Sequence, residues 1–353
     1  MRIALFAERD LSAPGGLTTT IAGLLDHVPH DIHIVPYLNP PQPSSLLRVN
    51  EVARRLREHR IELVHIAAAG PLAFTALYVA ARLRLPIVGS FDIDFLTATA
   101  LRRRYLRSLL RLCDKVLVSS ACARSTIEDV AAPETLVVWR PGVDIETFAP
   151  SKRSESLREK WHVSKSRVAV VYAGTLSEGH GANRLLALEL ALRRLHPMHR
   201  LIVAGDGPAL PELRYRCSEA VFLGNVPGGQ MPEVIASADL LVSPSERQST
   251  YHAVLEAQAC GLPVVVMARG AARERAADAA AVVCRSDVDF IVDTAALIRT
   301  DARRSTMGHA AREFAMHQQW ESGLAPIFAQ YRSAADASGP ARRRLEGIVP
   351  ARY

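Results

Sequence analysis

The chain has no cysteines spaced for a metal cage or a short disulfide loop. Its five, Cys113, Cys122, Cys217, Cys260 and Cys284, are odd in number and scattered through 353 residues. That pattern argues against a disulfide framework or zinc site and for a reducing cytoplasm. Aromatic side chains are only 6% of the sequence. They do not interleave with basic patches and no zinc-finger spacing occurs, so nothing points to nucleic acid. Lysine is nearly missing: all but four of the 43 basic residues are arginine, set against 36 acids for a net charge of +7. This bias has two readings, a GC-rich coding sequence or a surface that attracts phosphates or anionic lipid. Long apolar runs are missing too. The longest, residues 66–81, is broken by Gly70-Pro71 and falls short of the roughly 18 residues of a membrane span. The opening MRIALFA is too short, and too soon followed by charge, for a signal peptide. A cytoplasmic protein is expected, at most peripheral on the inner face of the membrane.

What is present is an apolar fraction of 49% and a charged fraction of 22%, the balance of an ordinary globular protein of two domains. Short β-branched runs alternate with helical stretches. In the first half the strands are predicted at 3–7, 32–37, 63–67, 87–91, 115–119 and 136–140. In the second they are predicted at 168–174, 201–205, 221–223, 240–243, 264–268 and 281–284. Apolar spacing of three and four predicts helices such as 49–58 and 101–112. Near-continuous apolar strands separated by helices mean parallel sheets covered on both faces. The expected class is therefore α/β, with two Rossmann-like doubly wound domains, 1–150 and 151–318, facing a central cleft. Polar residues 147–166 read as a linker with a short helix, and 334–353 as a flexible tail.

Several segments carry chemistry. Gly15-Gly16 follows the first strand and opens a helix, where bare backbone and unpaired amides favour an anion. Arg140-Pro141-Gly142-Val143-Asp144, with Phe148 and Pro150, closes the first half. The second half carries Gly205-Asp206-Gly207-Pro208 and Val221-Phe222-Leu223-Gly224-Asn225-Val226. Ser243-Pro244-Ser245 follows, then Leu255-Glu256-Ala257-Gln258-Ala259-Cys260-Gly261-Leu262-Pro263. In order and spacing these pieces resemble the retaining glycosyltransferases of family 4, or group 1, which have the GT-B fold. Phosphatidylinositol mannosyltransferases and sulfoquinovosyl-diacylglycerol synthases are similar members. The resemblance covers about residues 1–333.

That resemblance implies an acceptor domain at 1–150 and a nucleotide-sugar domain at 151–318. It also implies a helix at 319–333 that crosses back to the first domain. The donor is a nucleoside diphosphate sugar, UDP- or GDP-linked, and no metal or other cofactor is implied. Family members place an Arg and a Lys after the first strand of the second domain. Here Thr175 and His180 stand at those positions. Thr175 still donates a hydrogen bond, while His180 carries charge only when protonated. Arg140, Arg184 and Arg247 are the candidates to replace the missing charge. The family's paired glutamates fall on Gln248 and Glu256. Glu256 would accept the ribose hydroxyls, and Gln248 would meet the sugar with an amide instead of a carboxylate. Ser249, Thr250, Tyr251 and His252 replace a glycine-rich stretch, and Tyr251 implies a reshaped sugar pocket. Gly224 and Val226 complete the donor set, with Gly15 and Gly16 beside the diphosphate.

Asp92 sits where the family has an active-site histidine, so a catalytic place beside Gln248 is implied for it. An inert turn residue is the other reading. Asp92-Ile93-Asp94 also matches the metal-binding pair of the other main glycosyltransferase fold, which nothing else here resembles. The helix bearing Arg102, Arg103, Arg104, Arg107 and Arg111 is either a solvated face or a contact for an anionic membrane surface. The expected activity is metal-independent, retaining hexosyl transfer to a hydroxyl of a lipid, polysaccharide or small molecule. The competing expectation is a catalytically eroded relative that only binds nucleotide sugar or a partner subunit. No oligomeric state is implied.

Overall fold

The computed structural model describes residues 1–7, 16–38, 49–67, 71–90, 100–164, 166–195, 198–247 and 252–336. The chain divides into two compact units. One holds the residues up to Arg140, apart from Pro14–Gly16, together with those from Glu321 onward; the other holds Pro141–Trp320 and Pro14–Gly16.

The first unit is a six-stranded sheet in the order β2-β1-β3-β4-β5-β6, parallel throughout. Its strands are β1 (Arg2–Ala7), β2 (His33–Leu38), β3 (Leu63–Ile66), β4 (Ile87–Ser90), β5 (Lys115–Val118) and β6 (Leu136–Val138). The helices between them are α1 (Gly16–Asp26), α2 (Val49–Glu58), α3 (Pro71–Leu83), α4 (Ala100–Arg111) and α5 (Ala121–Ser125). Parallel pairing needs a crossover between strands, and the longer apolar-striped segments supply it. On one face Ala4 and Phe6 of β1, Val64 and Ile66 of β3, and Leu106, Leu109 and Leu110 of α4 share a buried core.

The second unit repeats the scheme in the order β12-β11-β10-β7-β8-β9, again parallel. It begins with a short α6 (Glu155–Lys160). Its central strands are β7 (Val168–Ala173), β8 (His199–Ala204) and β10 (Leu240–Ser243), flanked by β9 (Val221–Gly224), β11 (Val264–Met267) and β12 (Ala281–Cys284). Helices α7 (Ala182–Leu195), α8 (Leu210–Arg216), α9 (Met231–Ala236), α10 (His252–Ala259), α11 (Ala271–Arg275), α12 (Asp287–Arg299) and α13 (Asp301–Met316) cover it. Every residue of β7, VAVVYA, is buried, as a central strand covered on both faces requires.

Both sheets match the expected pair of Rossmann-like units, but two boundaries differ from the sequence reading. The division falls at Arg140/Pro141, before residue 150, because the intervening segment is bonded into the second unit. The Val143 amide donates to the Gln318 carbonyl at 2.9 Å. The Arg312 guanidinium donates to the carbonyls of Ile145 (3.1 Å), Phe148 (2.9 Å) and Ala259 (2.7 Å). Nor is the polar stretch that follows a free linker. Arg153 and Arg158 both reach Asp239, at 3.0 and 3.1 Å, and the same carboxylate accepts the Ala169 amide of β7 at 2.7 Å. The final helix, α14 (Trp320–Asp336), runs past residue 333 into the segment expected to be a flexible tail. Ala334 is buried, so small side chains there serve packing. In the first unit Tyr331 of α14 meets His65 Nδ1 at 2.7 Å, and His65 Nε2 meets Ser90 Oγ at 2.8 Å. Burial drives the His65 pKa down to about 3, so this imidazole is neutral and each ring nitrogen has a hydroxyl partner.

Candidate functional site

The densest set of predicted residues lies in the second unit, at the carboxyl ends of β7, β8 and β10. Open parallel sheets bind ligands at that end, where helix amides and loop backbone meet. After β7, Gly174 donates its amide to Ala204 O at 2.9 Å. Tyr172 donates its buried hydroxyl to Thr175 O at 2.8 Å. The Leu176 amide then bonds to Asp206 O at 2.9 Å. Gly205 and Gly207, with φ of +146° and +155°, lie so close to the β7 loop that a Cβ on either would collide with the carbonyl of Gly174 or Leu176. The two loops therefore touch backbone to backbone, which glycine alone permits.

Beyond this floor Thr175 is exposed, and a short 3₁₀ turn, Glu178–His180, leads to Gly181 in the left-handed region. Ser177 Oγ and His180 Nδ1 lie 2.7 Å apart. A Cβ on Gly181 would stand 2.6 Å from Pro244 O, so the loop after β10 rests directly on the loop after β7. Arg184 of α7 ties the same loops. It donates to Pro244 O at 2.6 Å and pairs with Asp287 at 2.5 Å and Glu246 at 3.4 Å. Two carboxylates and a carbonyl thus occupy Arg184, which removes it from the candidates for the missing cation. Arg247 is placed differently: its Nη1 lies 3.1 Å from where a Cβ on Gly179 would be.

Helix α10 opens at His252, which is buried, with its ring 5.8 Å from that of Trp320. What His252 offers a ligand is therefore its place in the first turn of a helix. One turn on, Glu256 is half-buried. Burial raises its pKa to about 7, and its carboxylate has no hydrogen bond or ion pair among the described residues. Buried Gln258 braces the other side of the helix: it donates to Arg275 O and accepts from the Ala277 amide, both at 2.8 Å. Gly224 has a φ of +67° and open space where a side chain would be, and its carbonyl accepts the Gly205 amide at 2.7 Å. Val226 is buried in the apolar core of this unit, so its backbone is what it presents at the loop.

The structure thus brings Thr175, His180, Gly224, Val226, His252 and Glu256 onto one edge of the second sheet. Gly16 is the first residue of α1 in chain order. Gly15, Asp92, Gln248, Ser249, Thr250 and Tyr251 lie outside the described residues. Gln258 carries no signal of its own in the sequence, and the acids that engage Arg184 lie 62 and 103 positions away from it. Among the described residues no three His, Cys, Asp or Glu side chains converge as a metal-binding group. Among them, too, no helix is long and apolar enough to cross a membrane.

Two family models match the chain, one per half. "Glycosyltransferase Family 4" covers residues 7–147 and "Glycosyl transferases group 1" residues 167–301. A GDP-mannose-dependent alpha-mannosyltransferase of Corynebacterium glutamicum is 25% identical over 94% of this chain and 88% of its own length. A GDP-mannose-dependent alpha-(1-6)-phosphatidylinositol monomannoside mannosyltransferase of Mycolicibacterium smegmatis is 30% identical over 80% of this chain and 78% of its own. Among solved structures, Anabaena HepE in complex with UDP and glucose superposes with a TM-score of 0.78 at 19% identity. The match covers 94% of this chain and 100% of that one. Sucrose-phosphate synthase from Thermosynechococcus elongatus gives the same TM-score at 15% identity, covering 94% of this chain and 98% of that one. The fold is GT-B.

Proposed function

Because the chain belongs to the family 4 glycosyltransferases, we propose that it moves a hexose, with retention and without a metal, from a GDP- or UDP-linked sugar to a hydroxyl acceptor. The observation that supports this most is Glu256. A carboxylate held half-buried at about pKa 7 without a partner among the described residues is costly in the free protein. Two ribose hydroxyls would satisfy it. Around it, Thr175 and His180 would flank the diphosphate with Gly15 and Gly16. Gln248 and residues 249–252 would read the sugar, Gly224 and Val226 would line the nucleotide by their backbone, and Asp92 would face the reacting centre.

In the reaction the acceptor oxygen bonds to the anomeric carbon as the bond from that carbon to the phosphate oxygen breaks. The acceptor proton passes to the departing diphosphate, so nucleoside diphosphate and glycoside are the products. Attack from the face the diphosphate leaves retains the configuration. Donors aimed at the phosphates speed this step because charge grows there in the transition state. Incubation with GDP-mannose and UDP-glucose, with and without lipid, glycan and small alcohol acceptors, is expected to release nucleoside diphosphate from one donor. Proton NMR of the product should show the donor's anomeric configuration. Donor binding without turnover under every acceptor would instead favour the eroded reading, and inversion would contradict the geometry of attack.

A membrane acceptor is the version we favour. On α4, Arg103, Arg104, Arg107 and Arg111 are exposed while Leu106, Leu109 and Leu110 are buried. Half-exposed Phe74 of α3 stands beside this helix, its ring 4.7 Å from that of Tyr105, and half-exposed Tyr78 lies four residues further along α3. Exposed aromatics next to a basic helix suit an anionic bilayer surface. Co-sedimentation with phosphatidylglycerol vesicles is expected, together with its loss in R103E/R107E. Equal binding to zwitterionic, net-neutral phosphatidylcholine vesicles would reject this face.

A further inference from the structure

We propose that the hydroxyl of Ser90, at the carboxyl end of β4, is set as a hydrogen-bond donor to an oxygen of the acceptor substrate, and that buried Tyr331 and His65 set it. The inference rests on the reading that the chain transfers a sugar to a hydroxylated acceptor held by the first unit. It starts from three side chains of that unit joined end to end. Tyr331 Oη of α14 lies 2.7 Å from His65 Nδ1 on β3, and His65 Nε2 lies 2.8 Å from Ser90 Oγ. Tyr331 is 0% exposed and His65 2%, whereas Ser90 is partly exposed.

The chain of contacts has two possible directions. In one, the tyrosine hydroxyl donates to Nδ1, the Nε2–H donates to Ser90 Oγ, and the serine proton is left to donate outward. In the other, serine donates to Nε2, the Nδ1–H donates to the tyrosine oxygen, and the tyrosine proton is left over. The second direction is the costly one. Among the described residues the Tyr331 hydroxyl has no hydrogen-bond partner besides His65, and no water reaches it at 0% exposure. A buried donor left unpaired forfeits its hydration without return. The first direction leaves its spare proton on the one member of the chain that reaches the surface. A neutral imidazole carries a single proton, and burial keeps His65 neutral, so the choice made at Tyr331 passes through the ring to Ser90.

The scaffold holds the three groups in place. His65 pairs with Val88 across β3 and β4, so His65 and Ser90, two residues beyond Val88, share one face of the sheet. Helix α14 lays Tyr331 on that face, its ring centroid 5.6 Å from that of His65 and 5.9 Å from the edge-on ring of Phe328. Strand β4 ends at Ser90, at the side where open parallel sheets take ligands. Because its oxygen already accepts from His65, Ser90 offers a ligand its proton. It therefore meets a lone pair, such as a hydroxyl oxygen of a sugar or polyol.

Two measurements on the full chain test this. Imidazole nitrogen NMR reads the direction. The His65 signals, assigned as those that shift in both Y331F and S90A, are expected to show the proton on Nε2 and no titration between about pH 5 and pH 8. A proton on Nδ1 overturns the proposal. Steady-state transfer from GDP-mannose or UDP-glucose to methyl α-mannoside, methyl α-glucoside and phosphatidylinositol vesicles reads the ligand. With an acceptor that the wild type glycosylates, S90A should raise the acceptor KM about tenfold, the worth of one hydrogen bond. The donor KM and kcat should change little. S90T, which keeps the hydroxyl, should restore the acceptor KM, and Y331F, which frees the ring to take either tautomer, should raise it by less than S90A. Thermal melting checks each variant for folding; should Y331F fail to fold, S90A alone assigns the signals. An unchanged acceptor KM in S90A, or a rise in the donor KM instead, overturns the proposal while the transfer reading stands. If the wild type glycosylates none of the three acceptors, that reading falls and the proposal with it.

Discussion

Replacing Glu256 by glutamine is expected to stabilise the free protein above pH 7 and, in the same variant, to weaken nucleotide binding by about 10- to 100-fold. Both effects have one cause. Burial raises the folded-state pKa of Glu256 to about 7, from the ordinary carboxyl value of 4.5. A carboxyl raised in this way contributes fully to stability below the unfolded value. That contribution is lost as pH rises from about 4.5 through about 7. Above pH 7 the ionised group costs up to about 3 kcal/mol, and glutamine, of the same shape and uncharged, removes the cost. Nucleotide has the opposite preference. In the proposed site two ribose hydroxyls would stabilise the carboxylate, and hydrogen bonds to a charged group are worth about 1.5–3 kcal/mol. Binding should therefore release a proton near neutral pH, and the wild-type affinity should fall as pH drops from 7 toward 5. Melting curves at pH 5 and pH 8 with calorimetry of GDP and UDP measure both halves. Unchanged nucleotide affinity in E256Q would remove Glu256 from the ribose, and an unchanged pH dependence of melting would remove the burial argument.

Gly205→Ala should be the most damaging single methyl in the second unit, with a loss of more than about 4 kcal/mol, a range reserved for backbone collisions and similar defects. The added Cβ would run into the Gly174 carbonyl, and φ at Gly205 is +146°. No side chain can yield, since the obstacle is the main chain at the end of β7, and the amide of Gly174 is already bonded to Ala204 O. The damage falls on the floor of the donor loops, so denaturation should lose nucleotide binding at the same time. Gly228→Ala is the control: nothing lies within 4 Å of its Cβ position, and a change within about 0.5 kcal/mol is expected. Urea unfolding of the two variants compares them. Equal stability would mean that the β7 and β8 loops do not meet as described.

The fold was legible where burial on both faces leaves one kind of residue. The twelve strands among the described residues read as short apolar runs, and α2 at Val49–Glu58 followed from apolar spacing. Composition misled where polar or small residues serve packing. Arg153 and Arg158 look like linker residues until Asp239 is placed between them. Residues 334–336 look like tail until α14 continues through them and Ala334 is buried. At the site, Glu256 was legible from its motif because a helix carries it at a fixed spacing from the preceding loop. The setting of Arg184 was not. It depends on Asp287 and Glu246, brought in from distant parts of the chain by a sheet order that no local pattern encodes.

In the proposed function the loops after β7 and β10, with the start of α10, grip a nucleoside diphosphate sugar. Hydrogen–deuterium exchange with and without GDP-mannose or UDP-glucose tests it most directly. With the donor that binds, slowed exchange is expected in peptides spanning 174–181, 244–247 and 252–260 of the second unit. Saturating donor that protects other segments while leaving these three unchanged would contradict the account.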